Sequence, residues 1–244
     1  MRLQLLWLAG LAPALFSAPS AQAVPEPGFA LSALPYPGGM VTATLGNGDV
    51  LSWDGVKVLR SAPSGALLQT LATFAVPVYP SFVAVAPGES YAVIGESSLG
   101  DLFRVNLAGG GAALLTNLFF NFDAKFEPGG QLVVSAATQG WSTGNNLVRV
   151  DPVSGAETPI VHVDGPSGPL AFDPAGNLFY ATQSPLFPAP PGSTDVLFWS
   201  ASLLDGTTVR TEDDALTLGF DFDGGSSLVT ARGHERARGL ASET

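Results

Sequence analysis

Carboxylates are the side chains in this sequence best suited to chemistry. Asp123 enters an apolar, strand-like run, Asp173 precedes a proline, and Asp223 precedes a glycine two residues after Asp221. Carboxylate oxygens are ligands that hard cations such as Ca²⁺ prefer. The run at 221–225 superficially resembles a calcium loop, although it lacks the Asp/Asn ladder and the distal Glu of that motif. These four aspartates are the candidate metal ligands, and calcium is the one cofactor that they indicate.

The same aspartates have a second interpretation. Asp before Pro or Gly is typical of an Asx turn, in which the carboxylate accepts hydrogen bonds from the backbone of its own hairpin. Glu127, Asp173 and Asp223 share one position in a repeated turn, which favours this structural role. Both interpretations stay open at this stage.

Other common reaction chemistries find no support. The sequence holds only His162 and His234 and no cysteine, so a zinc site of the usual composition cannot be assembled. It has no Gly-x-Ser-x-Gly segment that would place a nucleophilic serine. Gly109–Gly111 lacks the lysine and the following helix of a phosphate-binding loop. No catalytic residue is therefore assigned.

Three aromatic residues are candidates for a binding loop. Phe187 lies in the proline-rich insertion Ser184–Ser193, and Trp141 and Trp199 lie near other predicted turns. Aromatic rings there are suited to contact a sugar or a peptide. The alternative is that the tryptophans pack in the core and that the insertion is a spacer.

The first 23 residues predict export. Arg2 precedes the apolar run Leu3–Phe16, and Ala21 and Ala23 give a small-x-small cleavage site. The apolar run is short against the roughly 20 residues that a membrane helix needs. We therefore expect a signal peptide over 1–23 and a secreted or periplasmic mature chain without a membrane span. The formal net charge of −11 argues against nucleic acid as a partner.

Frequent breakers predict an all-β structure. The chain has 29 Gly and 20 Pro, which leave almost no window in which a helix can propagate. The segments between them are short and rich in Val, Leu, Phe, Thr and Tyr, which is typical of half-buried strands. The clearest are Met40–Leu45, Phe82–Ala86, Gln131–Ser135, Leu147–Val150 and Leu178–Thr182.

Turns repeat along these strands with a nearly constant period. The five copies are Leu45–Val50, Ala86–Tyr91, Glu127–Leu132, Asp173–Leu178 and Asp223–Leu228, at spacings of 41, 41, 46 and 50 residues. This is the period of a four-stranded propeller blade. A second strand and turn follow in step, as at Asp101–Asn106 and Asn146–Asp151. The sequence therefore predicts a β-propeller of about five blades over 40–230, after an N-terminal segment at 24–39 and before a polar tail at 231–244.

Two phrases resemble known propellers. Phe172–Ala181 and Leu147–Gly155 are similar to the blades of lactonase, gluconolactonase-like and NHL-type propellers. Such propellers usually have six or seven blades, so three arrangements stay open. They are a five-bladed ring closed by Phe29–Tyr36, a truncated product, and an open, curved stack. In enzymes of this group, carboxylates converge on a central channel.

Two functions follow from this resemblance. The first is a binding or scaffold module that presents loops to an extracytoplasmic protein or a small molecule. The second is a calcium-type, metal-assisted hydrolase similar to the gluconolactonase-like group. We favour the non-enzymatic module, because no constellation of residues specifies a reaction.

Overall fold

The computed structural model describes residues 40–138, 144–182 and 196–218, which form an all-β structure. In these ranges the helical elements are two short 3-10 helices, Ala201–Leu203 and Glu212–Asp214. No helix within them is long and apolar enough to cross a membrane. The predicted all-β class is therefore confirmed. The predicted signal peptide, the segment at 24–39 and the tail at 231–244 lie outside the described residues.

Sixteen strands form four antiparallel sheets of four strands, and the strand order in each sheet follows the chain. We call these sheets blades 1 to 4. Blade 1 consists of β1 (Val41–Thr44), β2 (Val50–Trp53), β3 (Lys57–Ser61) and β4 (Leu67–Thr73). Blade 2 consists of β5 (Pro80–Val85), β6 (Tyr91–Glu96), β7 (Asp101–Asn106) and β8 (Ala112–Asn117). Blade 3 consists of β9 (Asn121–Phe126), β10 (Leu132–Ala136), β11 (Asn145–Val150) and β12 (Glu157–Val163). Blade 4 consists of β13 (Leu170–Phe172), β14 (Leu178–Ala181), β15 (Val196–Trp199) and β16 (Leu216–Leu218).

The repeated turns lie where the sequence places them. In each blade the first predicted turn joins the first two strands, and in blades 2 and 3 the second joins the outer two. In blades 1, 3 and 4 the first turn is closed by a backbone hydrogen bond that spans four residues, as from Leu45 N–H to the Asp49 carbonyl. The fifth repeat, at Asp223–Leu228, lies outside the described residues.

The first turn of blade 2 is one residue longer than the others. Its closing hydrogen bond runs from Ala86 N–H to the Tyr91 carbonyl, across five residues. Gly88 and Glu89 both have positive φ there, at 82° and 53°. Each of the other three turns has a single residue with positive φ, and it is a glycine at the position of Glu89. Register after this turn is therefore displaced by one residue, which the repeat spacing does not reveal.

Neighbouring blades pack face to face. Strand β1 packs against β5, β5 against β9, and β9 against β13. An apolar cluster fills each of the three spaces between adjacent sheets, with Trp53 and Ile94 in the first and Tyr180 and Trp199 in the last. Strands β2 and β10 are buried along their whole length, because both of their faces are covered.

The outer edge of blade 3 is covered by backbone from the β15–β16 connection. Arg210 N–H donates to the Ile160 carbonyl at 2.9 Å, and its carbonyl accepts from His162 N–H at 2.7 Å. The pairing is a parallel bridge beside Val161 of β12. Blades 3 and 4 are therefore joined by backbone hydrogen bonds as well as by apolar packing.

Two glycines in equivalent turns test the approach of blades 2 and 3. Gly155 and Gly110 both have positive φ, at 74° and 108°. A Cβ at Gly155 would lie 2.2 Å from the Leu115 carbonyl oxygen of β8, whereas one at Gly110 would meet nothing within 4 Å. Both alanine substitutions strain the backbone by about 1–2 kcal/mol, and only Gly155→Ala also forces the blades apart. In urea denaturation we expect Gly155→Ala to lower the free energy of unfolding by about 2 kcal/mol more than Gly110→Ala. Equal losses would contradict this packing.

Candidate functional site

Asp123 is a buried link between blades 3 and 4. Its Oδ1 accepts from Ala124 N–H at 2.8 Å and from Lys125 Nζ at 2.6 Å. Its Oδ2 accepts from Leu170 N–H of β13 at 3.0 Å. Both carboxylate oxygens are therefore engaged by protein donors, and one of them ties two adjacent inner strands together.

Asp173 forms an Asx turn. Its Oδ1 accepts from the N–H groups of Ala175 and Asn177, each at 2.9 Å, and its Oδ2 accepts from the Asn177 side chain at 2.8 Å. This is the structural interpretation that the repeated turn position favours. The other two candidate ligands, Asp221 and Asp223, lie outside the described residues.

The structure does not bring the candidate metal ligands together within its described ranges. In these ranges no group of three His, Cys, Asp or Glu side chains could hold a metal ion. His162 lies on the outer strand of blade 3, and its Nδ1 is 3.0 Å from the Asn146 side-chain oxygen. Calcium binding stays a prediction.

Of the three aromatic candidates, only Trp199 is described, since Trp141 and Phe187 lie outside the described residues. Trp199 is fully buried in the cluster between blades 3 and 4. Its indole Nε1–H donates to the Thr211 carbonyl at 3.1 Å. The ring packs in the core and offers no face to a ligand in this structure.

Arginine occupies one repeated position on the third strand of blades 1, 2 and 3. The equivalent cross-strand pairs are Leu51–Arg60, Val93–Arg104, Val133–Arg149 and, in blade 4, Phe179–Phe198. Because the register is the same in each pair, the partners of the three guanidinium groups can be compared directly.

Arg60 and Arg149 are each paired with a carboxylate from the first turn of their own blade. Arg60 Nε donates to Asp49 Oδ2 at 2.8 Å, and a terminal nitrogen lies 2.7 Å from the same oxygen. Arg149 binds both oxygens of Glu127, at 2.8 and 3.0 Å. Hydrogen bonds from Asn47 and from Arg60 hold the pKa of the Asp49 carboxyl below its ordinary value. The charge of both arginines is therefore matched within the blade.

Arg104 has no such partner in the described part of the chain. Tyr91 takes the turn position that Asp49 has in blade 1, because of the displaced register. The guanidinium carbon of Arg104 lies 4.0 Å from the centre of the Tyr91 ring. None of the ion pairs among the described residues includes Arg104. A partly buried guanidinium is therefore stacked on an aromatic ring without a carboxylate.

A groove of about 740 Å³ lies at this end of blade 2. Its lining residues are Arg60, Glu89, Ser90, Tyr91, Arg104 and the segment Asn106–Ala113. Gly109, Gly110 and Gly111 all have positive φ in this segment. A Cβ at Gly110 or Gly111 would meet nothing within 4 Å, so glycine is required there by conformation and not by crowding. This part of the wall is bare backbone.

Glu89 is the acidic residue of the groove and is held in a strained conformation. It adopts positive φ where the equivalent turns have glycine. Its carboxylate accepts a hydrogen bond from Gly46 N–H of the blade 1 turn. Positive φ in a residue other than glycine is costly and is concentrated at functional sites. Among the described residues, Glu89 shares this conformation only with Phe120, which lies outside the groove lining.

Sequence comparisons assign no relative to this chain. No protein-family model matches it, and no curated protein does.

Solved structures do match. The Kuenenia stuttgartiensis hydrazine synthase is similar with a TM-score of 0.54 at 14% identity, over 74% of this chain and 50% of that one. The WD40 domain of Neurospora crassa Pan2 matches with a TM-score of 0.52 at 11% identity, over 74% and 51%. A putative TolB from Agrobacterium tumefaciens matches with a TM-score of 0.52 at 15% identity, over 69% and 59%. The chain has a β-propeller fold.

These likenesses bear on the fold alone, because all three structures are less than 25% identical to this propeller. The matched region spans about half the length of the first two. Lactonase-type propellers are also among the matched structures. The predicted β-propeller architecture is confirmed by the matches to the Pan2 domain and the putative TolB.

Sequence reasoning missed the arginine position, although a signal was present. The repeated strands at 101–106 and 146–151 both contain Arg in the phrase Leu-x-Arg-Val. Those strands indicate the repeat, but their spacing does not show that the first turn of blade 2 is one residue longer. The displaced register puts Tyr91, and not Ser90, at the turn position of Asp49.

The stability of arginine variants checks this difference. Arg149→Gln breaks a bidentate pair in which the arginine and glutamate side chains are 19% and 16% exposed, so we expect a loss of about 2–3 kcal/mol in the free energy of unfolding. Arg104→Gln removes only the contact with Tyr91, so we expect a loss of about 1 kcal/mol or less. Urea denaturation of both variants measures the two values. A loss for Arg104→Gln as large as that for Arg149→Gln would show that Arg104 has a partner in the folded chain.

Proposed function

We propose that this chain is an extracytoplasmic β-propeller that acts as a non-enzymatic binding module, with the blade 2 groove as its ligand site. The export signal predicted over 1–23 supports the compartment. The packing of the blades supports the role, because the strands that carry Arg60, Tyr91 and Arg104 are already ordered before a ligand binds.

One observation carries this proposal: in the described part of the chain, the guanidinium of Arg104 has no carboxylate partner. Arg60 and Arg149 occupy the same register position and are each paired with a carboxylate at 2.7–3.0 Å. Arg104 stacks on Tyr91 and faces a groove of about 740 Å³. That volume lies within the range of small-molecule sites. A partly buried cation that has no carboxylate partner within 40–138, 144–182 and 196–218 supports an anionic ligand.

The hydrolase alternative would need carboxylates that are free to bind a cation. Asp123 and Asp173 each use both oxygens in hydrogen bonds with protein donors. Metal binding at either residue would break an interaction that links two blades or closes a hairpin. The binding role requires no such rearrangement, so we prefer it.

Anion and calcium titrations separate these functions. We expect an anionic ligand at millimolar concentration to raise the melting temperature of the full chain, because it binds only the folded state. In heteronuclear NMR spectra we expect the perturbed amides to lie in 88–91 and 104–113. The probes are acetate, succinate, inorganic phosphate and sulfate, with chloride at equal ionic strength as the control.

Calcium gives the opposing outcome. We expect calcium chloride to have the same effect as magnesium chloride on the melting temperature. Stabilisation by calcium alone that is lost in Asp123→Asn would favour the hydrolase, as would hydrolysis of a lactone that depends on calcium. Failure of all four anions to perturb the groove would overturn the proposed site.

A further inference from the structure

We infer that the blade 2 groove binds a carboxylate group, which occupies on Arg104 the place that Asp49 and Glu127 occupy on Arg60 and Arg149. This inference rests on the proposed function and names the chemical class of its ligand.

The chain itself contains two examples of the proposed interaction. In blade 3, Glu127 meets Arg149 through two parallel N–H···O bonds of 2.8 and 3.0 Å. In blade 1, both donors of Arg60 converge on Asp49 Oδ2. A planar guanidinium matches a planar carboxylate in this way, and the charge assistance makes such bonds strong. The repeated strand position therefore presents a guanidinium to a carboxylate in two blades.

Blade 2 has the arginine, but no carboxylate among the described residues forms an ion pair with it. Its displaced register puts Tyr91 at the position of Asp49, so the turn supplies an aromatic ring in place of a carboxylate. The Tyr91 ring also packs edge-on against Phe126 of blade 3, with the ring centres 6.0 Å apart. Contact with Phe126 therefore helps to fix the Tyr91 ring. Stacking at 4.0 Å orients the guanidinium without using its N–H donors.

The charges of the groove favour a singly charged group. Arg60 is already paired with Asp49, which leaves Arg104 as the unpaired cation and Glu89 as the anion among the lining residues. Glu89 is tied to Gly46 N–H of the blade 1 turn. One carboxylate neutralises the single charge of Arg104, whereas a doubly charged phosphate exceeds it and is repelled more strongly by Glu89. We therefore expect carboxylates to bind more tightly than phosphate or sulfate.

The rest of the groove indicates what carries the carboxylate. The volume of about 740 Å³ exceeds that of a single carboxylate, and the wall beyond Arg104 consists of Leu107, small alanines and bare glycine backbone. Such a wall accepts a short apolar or peptide-like body next to the charged end. Two sources share this chemistry, a small organic acid and the C-terminal carboxylate of a peptide.

The experiment compares each carboxylate with its uncharged amide, and it includes inorganic phosphate as a different anion. The full chain is titrated by NMR and calorimetry with butyrate, butyramide and inorganic phosphate, and with N-acetyl-trialanine in its free-acid and C-terminal amide forms. We expect the acids to bind at 88–91 and 104–113, and the amides to bind at least about tenfold more weakly. Tighter binding of butyrate identifies a small organic acid as the source, and tighter binding of the free-acid peptide identifies a chain terminus.

A pair of matched variants tests whether a carboxylate of the chain itself can take the place of the ligand on Arg104. Tyr91→Asp places a carboxylate at the position of Asp49, where it should pair with Arg104 and exclude the ligand. Tyr91→Asn introduces a side chain of the same size as aspartate and also removes the ring, but that side chain carries no charge. We expect Tyr91→Asp to abolish carboxylate binding and Tyr91→Asn to weaken it only partly. Far-ultraviolet circular dichroism and urea denaturation show whether both variants fold.

Arginine variants complete the test. Arg104→Gln should weaken carboxylate binding by about tenfold or more, and Arg104→Lys should restore only part of it because lysine lacks the planar fork. Lys57→Gln, in β3 and outside the groove, is the control and should bind as the unmodified chain does. Equal binding of acids and amides, tighter binding of phosphate, or unchanged binding by Arg104→Gln would overturn the inference. Phosphate binding in the groove would still leave the binding module intact, whereas no binding by any anion would remove both proposals.

Discussion

Burial of apolar surface between neighbouring sheets is the interaction on which the described structure depends. Each of the three clusters uses side chains from two blades, so a blade is completed by the next one. The clusters enclose large side chains such as Trp53, Tyr180 and Trp199, none of which is exposed. Fully burying one such side chain contributes roughly 1.5–3 kcal/mol or more. The chain has no cysteine, so no disulfide bond assists this packing.

Polar side chains also link neighbouring blades. Asp123 joins β9 to β13, Arg149 reaches the Leu204 carbonyl of blade 4 at 2.8 Å, and Asn121 donates to the Glu96 carbonyl of blade 2 at 2.6 Å. These groups are shielded from water, where an unpaired donor or acceptor is costly. They therefore fix the angle and height at which the apolar faces meet. The groove lies at blade 2, where Arg104 has no carboxylate partner among the described residues.

Much of the fold could be predicted from the sequence, because residues within each turn specify the hairpins. Turn chemistry at Asp173 and the period of the glycine-containing turns specify hairpins, and those hairpins define the blades. The spacing could not reveal that Ala86 bonds to Tyr91 across five residues, because a longer turn leaves the distances between turns almost unchanged. The extra residue puts Tyr91 at the turn position of Asp49, where its ring contacts Arg104. The interblade bond of Asp123 was equally hidden, since its donor at Leu170 is 47 residues away.

The parallel bridge of Arg210 beside β12 affects how this chain meets other chains. Outer strands of open sheets carry unused backbone donors and acceptors, which make them templates for the growth of fibrils. At Ile160 and His162 those groups are already taken by the chain's own β15–β16 connection. The rim of blade 3 is thereby capped at this point, and a foreign strand would first have to displace a covalently attached one. The β15–β16 connection, which links blades 3 and 4 by hydrogen bonds, therefore also protects this edge of blade 3 against pairing with another chain.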